Sequence, residues 1–253
     1  MPDLRKRALE VNKRLKKRYP ETRISLDFRT PFELLIATIL AAQSTDARVN
    51  IVTKSLFRKY PTPQAFASAS QVEMETDVKQ TGFFRNKAKA VIGCAQALVE
   101  RHGGQVPQTM DELTALPGVG RKTANVVLGN ALGTPVGIAV DTHVTRLSGR
   151  LGLTASSDAE VIEQDLMKLL PRSEWTEFTH RMIYHGRETC IARKPDCPTC
   201  VLNDICPSAQ LATEAPPSPP ASRARSARSA TKSSPAPSRT RTSKTPRARK
   251  PSR

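Results

Sequence analysis

Apolar residues recur along most of the chain at the spacing of helices that bury one face. In the segment 1–19, which is dense in Lys and Arg, they share one side of a helix, and this pattern predicts an amphipathic helix docked on a core. Apolar stretches such as 32–42 and 161–170 follow, whereas strictly alternating β-branched and aromatic residues are scarce. We therefore expect a mainly helical body. The apolar positions of the first predicted helix are Leu4, Ala8, Val11 and Leu15.

Three Ser or Thr residues lie where they can cap the start of a helix. Thr30, Thr109 and Ser157 are each followed three residues later by Glu. In this capping-box arrangement the two side chains satisfy amides that have no partner in the first helical turn. The pattern predicts that helices begin just after residues 30, 109 and 157.

From about Ala212 the composition changes to Pro, Ser, Ala, Thr, Arg and Lys, with no aromatic side chain. Such a segment cannot build a core, so residues 211–253 are predicted to be a disordered basic tail. It contains eleven Lys and Arg residues against Glu214 and carries +10 of the chain's net +17. Basic tails bind phosphates by releasing counterions, which favours a non-specific DNA-binding arm. A tail that only aids solubility is the alternative.

The net charge of +17, with a pI near 10.2, creates a positive field that concentrates polyanions. Nucleic acid is the first candidate partner, and an acidic membrane surface is the second. No run approaches 18 apolar residues, and the N-terminus lacks the apolar centre of a secretory signal. We therefore expect no membrane association and a cytoplasmic location, in association with the nucleoid.

Residues 114–127 have the pattern of two helices joined by a tight glycine turn. Pro117 ends the first helix, and Gly118 and Gly120 permit unusual backbone angles and close approach to another molecule. The turn opens a helix N-terminus, where unpaired amides and the helix dipole favour an anion. We therefore expect Gly118, Gly120 and the adjacent Arg121 to contact a DNA phosphate. An ordinary corner between two helices is the alternative.

Lys122 lies in the first turn of that second helix, beside the positive end of its dipole. A free lysine is almost wholly protonated at neutral pH, so a nucleophilic lysine requires a neighbour that disfavours its ammonium form. Residues that break local rules are expected at functional sites. The position is equally compatible with an exposed lysine that contacts a phosphate.

Asp141 follows the apolar segment 137–140 and precedes a further predicted helix that starts with Thr142 and His143. Helix capping alone would explain an aspartate here. A carboxylate that emerges from an apolar segment into a cleft can also stabilise positive charge on a sugar and assist proton movement. We retain capping as a compatible second role.

Four of the five cysteines cluster in the spacing C-x6-C-x2-C-x5-C. In a protein expected to be intracellular, this clustering indicates a metal site rather than disulfides. Zinc and a [4Fe–4S] cluster both accept four thiolates, so spacing alone leaves the two open. Cys94 lies in a separate apolar stretch and is predicted to be a buried free thiol. The clustered residues are Cys190, Cys197, Cys200 and Cys206.

Three segments together resemble the endonuclease III family of helix-hairpin-helix DNA glycosylases. They are Leu-Pro-Gly-Val-Gly-Arg-Lys-Thr-Ala-Asn at 116–125, Val-Asp-Thr-His at 140–143, and the His-Gly pair at 185–186 that precedes the four cysteines. The resemblance covers about residues 1–208 and leaves only the tail outside.

The resemblance implies an all-α fold of two helical lobes with a DNA cleft between them. One lobe is expected to unite an N-terminal helix at 1–23 with a cluster region at 137–210. The other is a helical barrel at 24–136 that carries the hairpin. The cysteine spacing matches the family's iron–sulfur motif, which selects [4Fe–4S] over zinc. Arg193 and Lys194, on the loop between the first two ligands, are then expected to contact phosphate; a solvated basic loop is the alternative.

The family's functional residues carry over to matching positions of this chain. Lys122 corresponds to its catalytic lysine and Asp141 to its catalytic aspartate. Gln43 matches a glutamine that fills the gap left by an extruded nucleotide, and Asp46 matches a polar residue near the active site. The alternative for this segment is an ordinary helix C-terminus followed by a turn. Phe83 corresponds to a wedge position that is often Leu, although a core Phe is equally compatible with the sequence. His143, next to the catalytic segment, is also expected to contact DNA.

The reaction implied is attack of neutral Lys122 on C1′ of a flipped, oxidised pyrimidine nucleotide, loss of the base, and β-elimination from the resulting imine. The expected partner is duplex DNA with damaged pyrimidines or abasic sites, bound by a monomer. Two alternatives remain: a monofunctional glycosylase of the same superfamily, against which Lys122 argues, and a catalytically silent hairpin DNA-binding protein with a structural metal.

Overall fold

The computed structural model describes residues 2–209, and within them the ordered elements are helices without strands. The predicted all-α fold class is therefore confirmed. The predicted tail at 211–253 lies outside the described residues. No helix in the described part is long and apolar enough to cross a membrane. The α-helices are α1 Pro2–Arg18, α2 Pro31–Leu40, α3 Asp46–Lys59, α4 Pro63–Ala67, α5 Gln71–Val78, α6 Phe84–His102, α7 Met110–Thr114, α8 Arg121–Asn130, α9 Thr142–Arg150, α10 Ala159–Leu169 and α11 Trp175–Glu188.

The hydroxyl-capped helix starts are confirmed at two of the three predicted positions. The Thr30 hydroxyl accepts the amide hydrogen of Glu33 at 3.1 Å, and the Thr109 hydroxyl accepts that of Glu112 at 3.3 Å. At α10 the predicted cap, Ser157, is wrong by one residue. The cap is Asp158, whose carboxylate accepts the amide hydrogens of Glu160 and Val161 in the first turn of the helix.

A first hydrophobic core is built by helices α2 to α8. Phe66 is fully buried at its centre, and the rings of Phe32 and Tyr60 lie 5.3 and 5.4 Å from it. These tilted and edge-on aromatic contacts are favourable packing geometries. Cys94 is fully buried in this core, as predicted, and burial raises the pKa of its thiol to about 12.

A second core joins the beginning of the described chain to its end. Ala8, Val11 and Leu15 of α1 are fully buried against apolar residues of α9, α10 and α11, which confirms the predicted amphipathic helix. The chain passes from the first core to the second after α8, and Ile138 and Val140 belong to the second. The lobe boundaries at 1–23, 24–136 and 137–210 stay a prediction.

Candidate active site

The glycine turn presents the first turn of α8 to the outside. Gly118 adopts a φ of +77°, and a Cβ at this position would lie 2.8 Å from Cβ of Ala90, so both the backbone angle and the packing require glycine. Gly120 is the N-cap of α8 and supplies no side-chain cap. The amides of this turn can therefore donate hydrogen bonds to an anion, which the positive end of the helix dipole also favours.

Lys122 and Asp141 line the same cavity, which has a volume of about 350 Å³. Lys122 is exposed on the first turn of α8, and Asp141 is the half-buried N-cap of α9. Gln43, from the turn after α2, and Asp46, the first residue of α3, line this cavity as well. The structure thus brings together four predicted residues that are up to 98 positions apart in the sequence.

The position of Asp141 follows from its flanking segments. Ile138 and Val140 are buried in the second core and hold the chain before it, while one carboxylate oxygen of Asp141 accepts the amide hydrogen of Val144 at 2.8 Å. This bond confirms the predicted capping role. Because a carboxylate has several acceptor positions, capping leaves it able to act on a group in the cavity.

One side of the cavity is formed by α11. The imidazole Nε2 of His180 lies 2.6 Å from the Asn130 side-chain oxygen, and burial lowers the pKa of His180. Arg187, which also lines the cavity, donates hydrogen bonds to Asp46 at 3.1 Å and to the Ser25 hydroxyl at 3.1 Å. The motifs alone do not indicate these residues. The signal was present as helical spacing, since Thr176, His180, Ile183 and Arg187 recur on one face of α11.

Gln43 and Phe83 share an unusual backbone. They are the two non-glycine residues of the described chain with positive φ, at 54° and 46°. This left-handed conformation costs about 1–2 kcal/mol and is concentrated at functional sites. Phe83 is 65% exposed, so the core alternative is excluded. The buried ammonium of Lys87 donates to the carbonyl of Thr81 at 2.7 Å and anchors the loop that presents Phe83.

Arg121 and His143 are not among the residues that line this cavity, and each contacts other protein groups. The Arg121 guanidinium donates to Glu163 through two hydrogen bonds. His143 is half-buried with its Nδ1 3.2 Å from Nη2 of Arg146, and burial lowers its pKa. A DNA contact for either residue stays a prediction.

The four clustered cysteines line a second cavity of about 340 Å³. Nη1 of Arg150 lies 3.3 Å from Sγ of Cys190, and the amide of Leu202 lies 3.4 Å from Sγ of Cys200. Among residues 2–209, no three His, Cys, Asp or Glu side chains are close enough to hold a single metal ion.

The cavity nevertheless provides four thiols without disulfides around a volume larger than one tetrahedral ion fills, and N–H donors face the sulfurs. This donor set fits an iron–sulfur cluster. Arg193 and Lys194 are exposed on the loop between Cys190 and Cys197.

Comparison with known proteins gives a consistent result. The profile of the HhH-GPD superfamily base excision DNA repair proteins matches residues 36–172. Endonuclease III of Synechocystis sp. is 54% identical over 83% of this chain and 96% of that protein. Endonuclease III of Escherichia coli K12 is 42% identical over 79% of this chain and 94% of that protein.

Solved structures agree. A non-covalent endonuclease III–DNA complex matches with a TM-score of 0.78 and 44% identity, covering 82% of this chain and 97% of that one. A trapped covalent endonuclease III–DNA intermediate gives the same values. A thermostable thymine-DNA glycosylase, at 22% identity and a TM-score of 0.74, shares the fold. The chain therefore belongs to the endonuclease III family within the HhH-GPD superfamily of base excision DNA repair proteins.

Proposed function

We propose that this protein is a base-excision-repair DNA glycosylase with abasic-site lyase activity. It removes oxidised pyrimidines from duplex DNA and nicks the strand by β-elimination. The observation that carries this proposal is the presence of Lys122 and Asp141 in one cavity of about 350 Å³, a volume within the range of small-molecule pockets. A related protein of known structure was trapped as a covalent intermediate with DNA, which is the species that a lysine nucleophile forms.

Base excision requires that the damaged nucleotide leaves the helix, because C1′ is inaccessible within the stack. Phe83 is proposed to wedge between base steps and Gln43 to fill the gap. Two observations support this proposal. The backbone of each residue is left-handed and so departs from helix geometry, and each side chain is exposed.

In the reaction, the neutral amine of Lys122 forms a bond to C1′ while the bond from C1′ to the base breaks, and the departing base takes up a proton from water. The Asp141 carboxylate stabilises the positive charge that develops on the sugar and accepts the proton lost by Lys122. The C1′–O4′ bond then breaks, Asp141 returns its proton to O4′, and a protonated imine forms between Lys122 and C1′. Water accepts a proton from C2′ as the bond to the 3′ phosphate breaks and the phosphate leaves, and hydrolysis of the imine releases Lys122.

The hairpin amides of Gly118 and Gly120, together with Asp46, His143, Arg193 and Lys194, are proposed to position the DNA. We propose that Cys190, Cys197, Cys200 and Cys206 hold a [4Fe–4S] cluster. When bound, that cluster supplies a rigid structural anchor for the loop that carries Arg193 and Lys194. We further propose a monomer that acts in the cytoplasm, at the nucleoid.

Borohydride trapping tests the proposed reaction. Reduction of the Lys122 imine on an oligonucleotide with one oxidised pyrimidine should give a stable protein–DNA adduct. A monofunctional glycosylase or a silent DNA-binding protein gives none, so base release or binding without an adduct would contradict the proposal.

The cluster is tested by visible absorbance and iron content of the purified protein. Cys197→Ser should abolish both signals. Cys94→Ala, which alters a thiol in the other core, should retain them. A colourless wild-type protein that contains zinc would contradict the cluster.

A further inference from the structure

Glu163 on α10 is almost fully buried, with 3% of the residue's surface exposed, and its side chain contacts α8. Nε and Nη2 of Arg121 donate to its two carboxylate oxygens at 2.7 and 3.2 Å. The Asn125 amide donates to the same carboxylate at 2.8 Å. The reaction described above gives Glu163 no chemical step, although it is a buried charge close to the catalytic residues.

Glu163 contacts both chain segments that present the catalytic pair. Arg121 immediately precedes Lys122, and Asn125 lies one helical turn further and lines the catalytic cavity. On the other segment, a Cβ at Gly137 would overlap a Glu163 carboxylate oxygen. The segment that starts at Gly137 leads directly to Asp141. One carboxylate therefore touches the supports of the nucleophile and of the catalytic aspartate.

The physical properties of this contact suit a positioning role. A buried carboxylate is tolerated only when it is paired and hydrogen-bonded. Two parallel bonds to a guanidinium also define an orientation, which a single ionic contact does not. The group can therefore move little without leaving its charge uncompensated. Displacement of α8 relative to the segment 137–141 would break these bonds.

We propose that Glu163 is a positioning residue that holds Lys122 and Asp141 in the relative placement that base excision requires. In this proposal the ion pair between Glu163 and Arg121 fixes the orientation of the Glu163 carboxylate. The inference rests on the proposed function. A displacement of the reacting groups by about 1 Å lowers the rate of such a reaction on the order of 10²-fold. Binding depends on many phosphate contacts and is expected to change little.

The test compares Glu163→Gln with Glu160→Gln. The first keeps the shape of the side chain and removes its charge. The second makes the same change at an exposed position of the same helix. Single-turnover base excision at saturating enzyme should fall at least about tenfold in Glu163→Gln, with Kd for a non-cleavable abasic analogue within about twofold of wild type. Glu160→Gln should match wild type in both measurements.

Arg121→Lys is the second variant. It keeps the positive charge and loses the two parallel bonds, so the rate should fall while the salt dependence of binding stays unchanged. Rates within about twofold of wild type in both Glu163→Gln and Arg121→Lys, or rate losses equalled by losses of binding, would overturn the inference. A wild-type protein that gives no borohydride adduct would instead overturn the proposed function, so the two failures are distinguishable.

Discussion

The Asp141 carboxylate accepts the amide hydrogen of Val144 at 2.8 Å and lines the same cavity as Lys122. The residue that caps α9 thus also lines the cavity of the proposed nucleophile. The capping and catalytic roles of Asp141 can be tested separately by substitution with Asn. Asn caps a helix as well as Asp does but has no negative charge, so the substitution preserves only the capping role.

We expect Asp141→Asn to slow base excision by roughly 10²- to 10³-fold and to leave the thermal midpoint close to that of wild type. The substitution removes the negative charge that stabilises the transition state but retains the cap. Asp158→Asn is the matched control, since Asp158 caps α10 in the same way outside the described cavity lining. Single-turnover kinetics and thermal denaturation measure the two effects. Near-normal excision by Asp141→Asn would reduce this residue to a helix cap.

Lys122→Gln should abolish the borohydride adduct and strand cleavage, with Kd for damaged duplex changed only slightly. One nucleophile is lost, whereas only one charge among many phosphate contacts is removed. Lys168→Gln on α10 is the control because it removes an exposed charge whose only described partner is Asp165 at 3.8 Å. Adduct formation by Lys122→Gln at the wild-type level would remove Lys122 from its role.

Phe83→Ala should reduce extrusion of the damaged nucleotide by about tenfold, because an apolar wedge offsets unstacking that costs a few kcal/mol. Val72→Ala, also at a highly exposed apolar position, should have no effect. A fluorescent base analogue next to the lesion would report extrusion, and thermal denaturation would show that both variants remain folded. Equal extrusion in the two variants would contradict a wedge at Phe83.

Ending the chain near Ala212 should preserve excision at saturating enzyme and lower the salt dependence of binding to undamaged duplex. The deleted segment carries +10 and no core-forming pattern, and each phosphate neutralised contributes about 0.9 to the log–log slope. Engagement of three or four tail cations would therefore lower the slope by about three. Identical slopes for the full-length and shortened proteins would mean that the tail does not engage DNA.

Local features of the site could be predicted from the sequence because their physical causes are local. The Leu116–Gly120 turn depends on proline and glycine backbone preferences, and the buried face of α1 depends on helical spacing. The cysteines also lie close together in the chain, so their shared cavity follows from short connections. The roles assigned to Lys122 and Asp141 came from family resemblance, because each residue alone also fitted a phosphate contact or a helix cap.

Other features depend on contacts between distant segments, which periodicity and capping patterns do not encode. The sequence left Phe83 equally compatible with a core, and only packing placed it at 65% exposure. Arg121 was predicted as a DNA contact from its neighbours, yet its described partner, Glu163, lies 42 positions away. The convergence of Lys122, Asp141, His180 and Arg187 likewise arises from how α8, α9 and α11 pack. Burial and charge pairing decide such contacts, and both are properties of the folded chain as a whole.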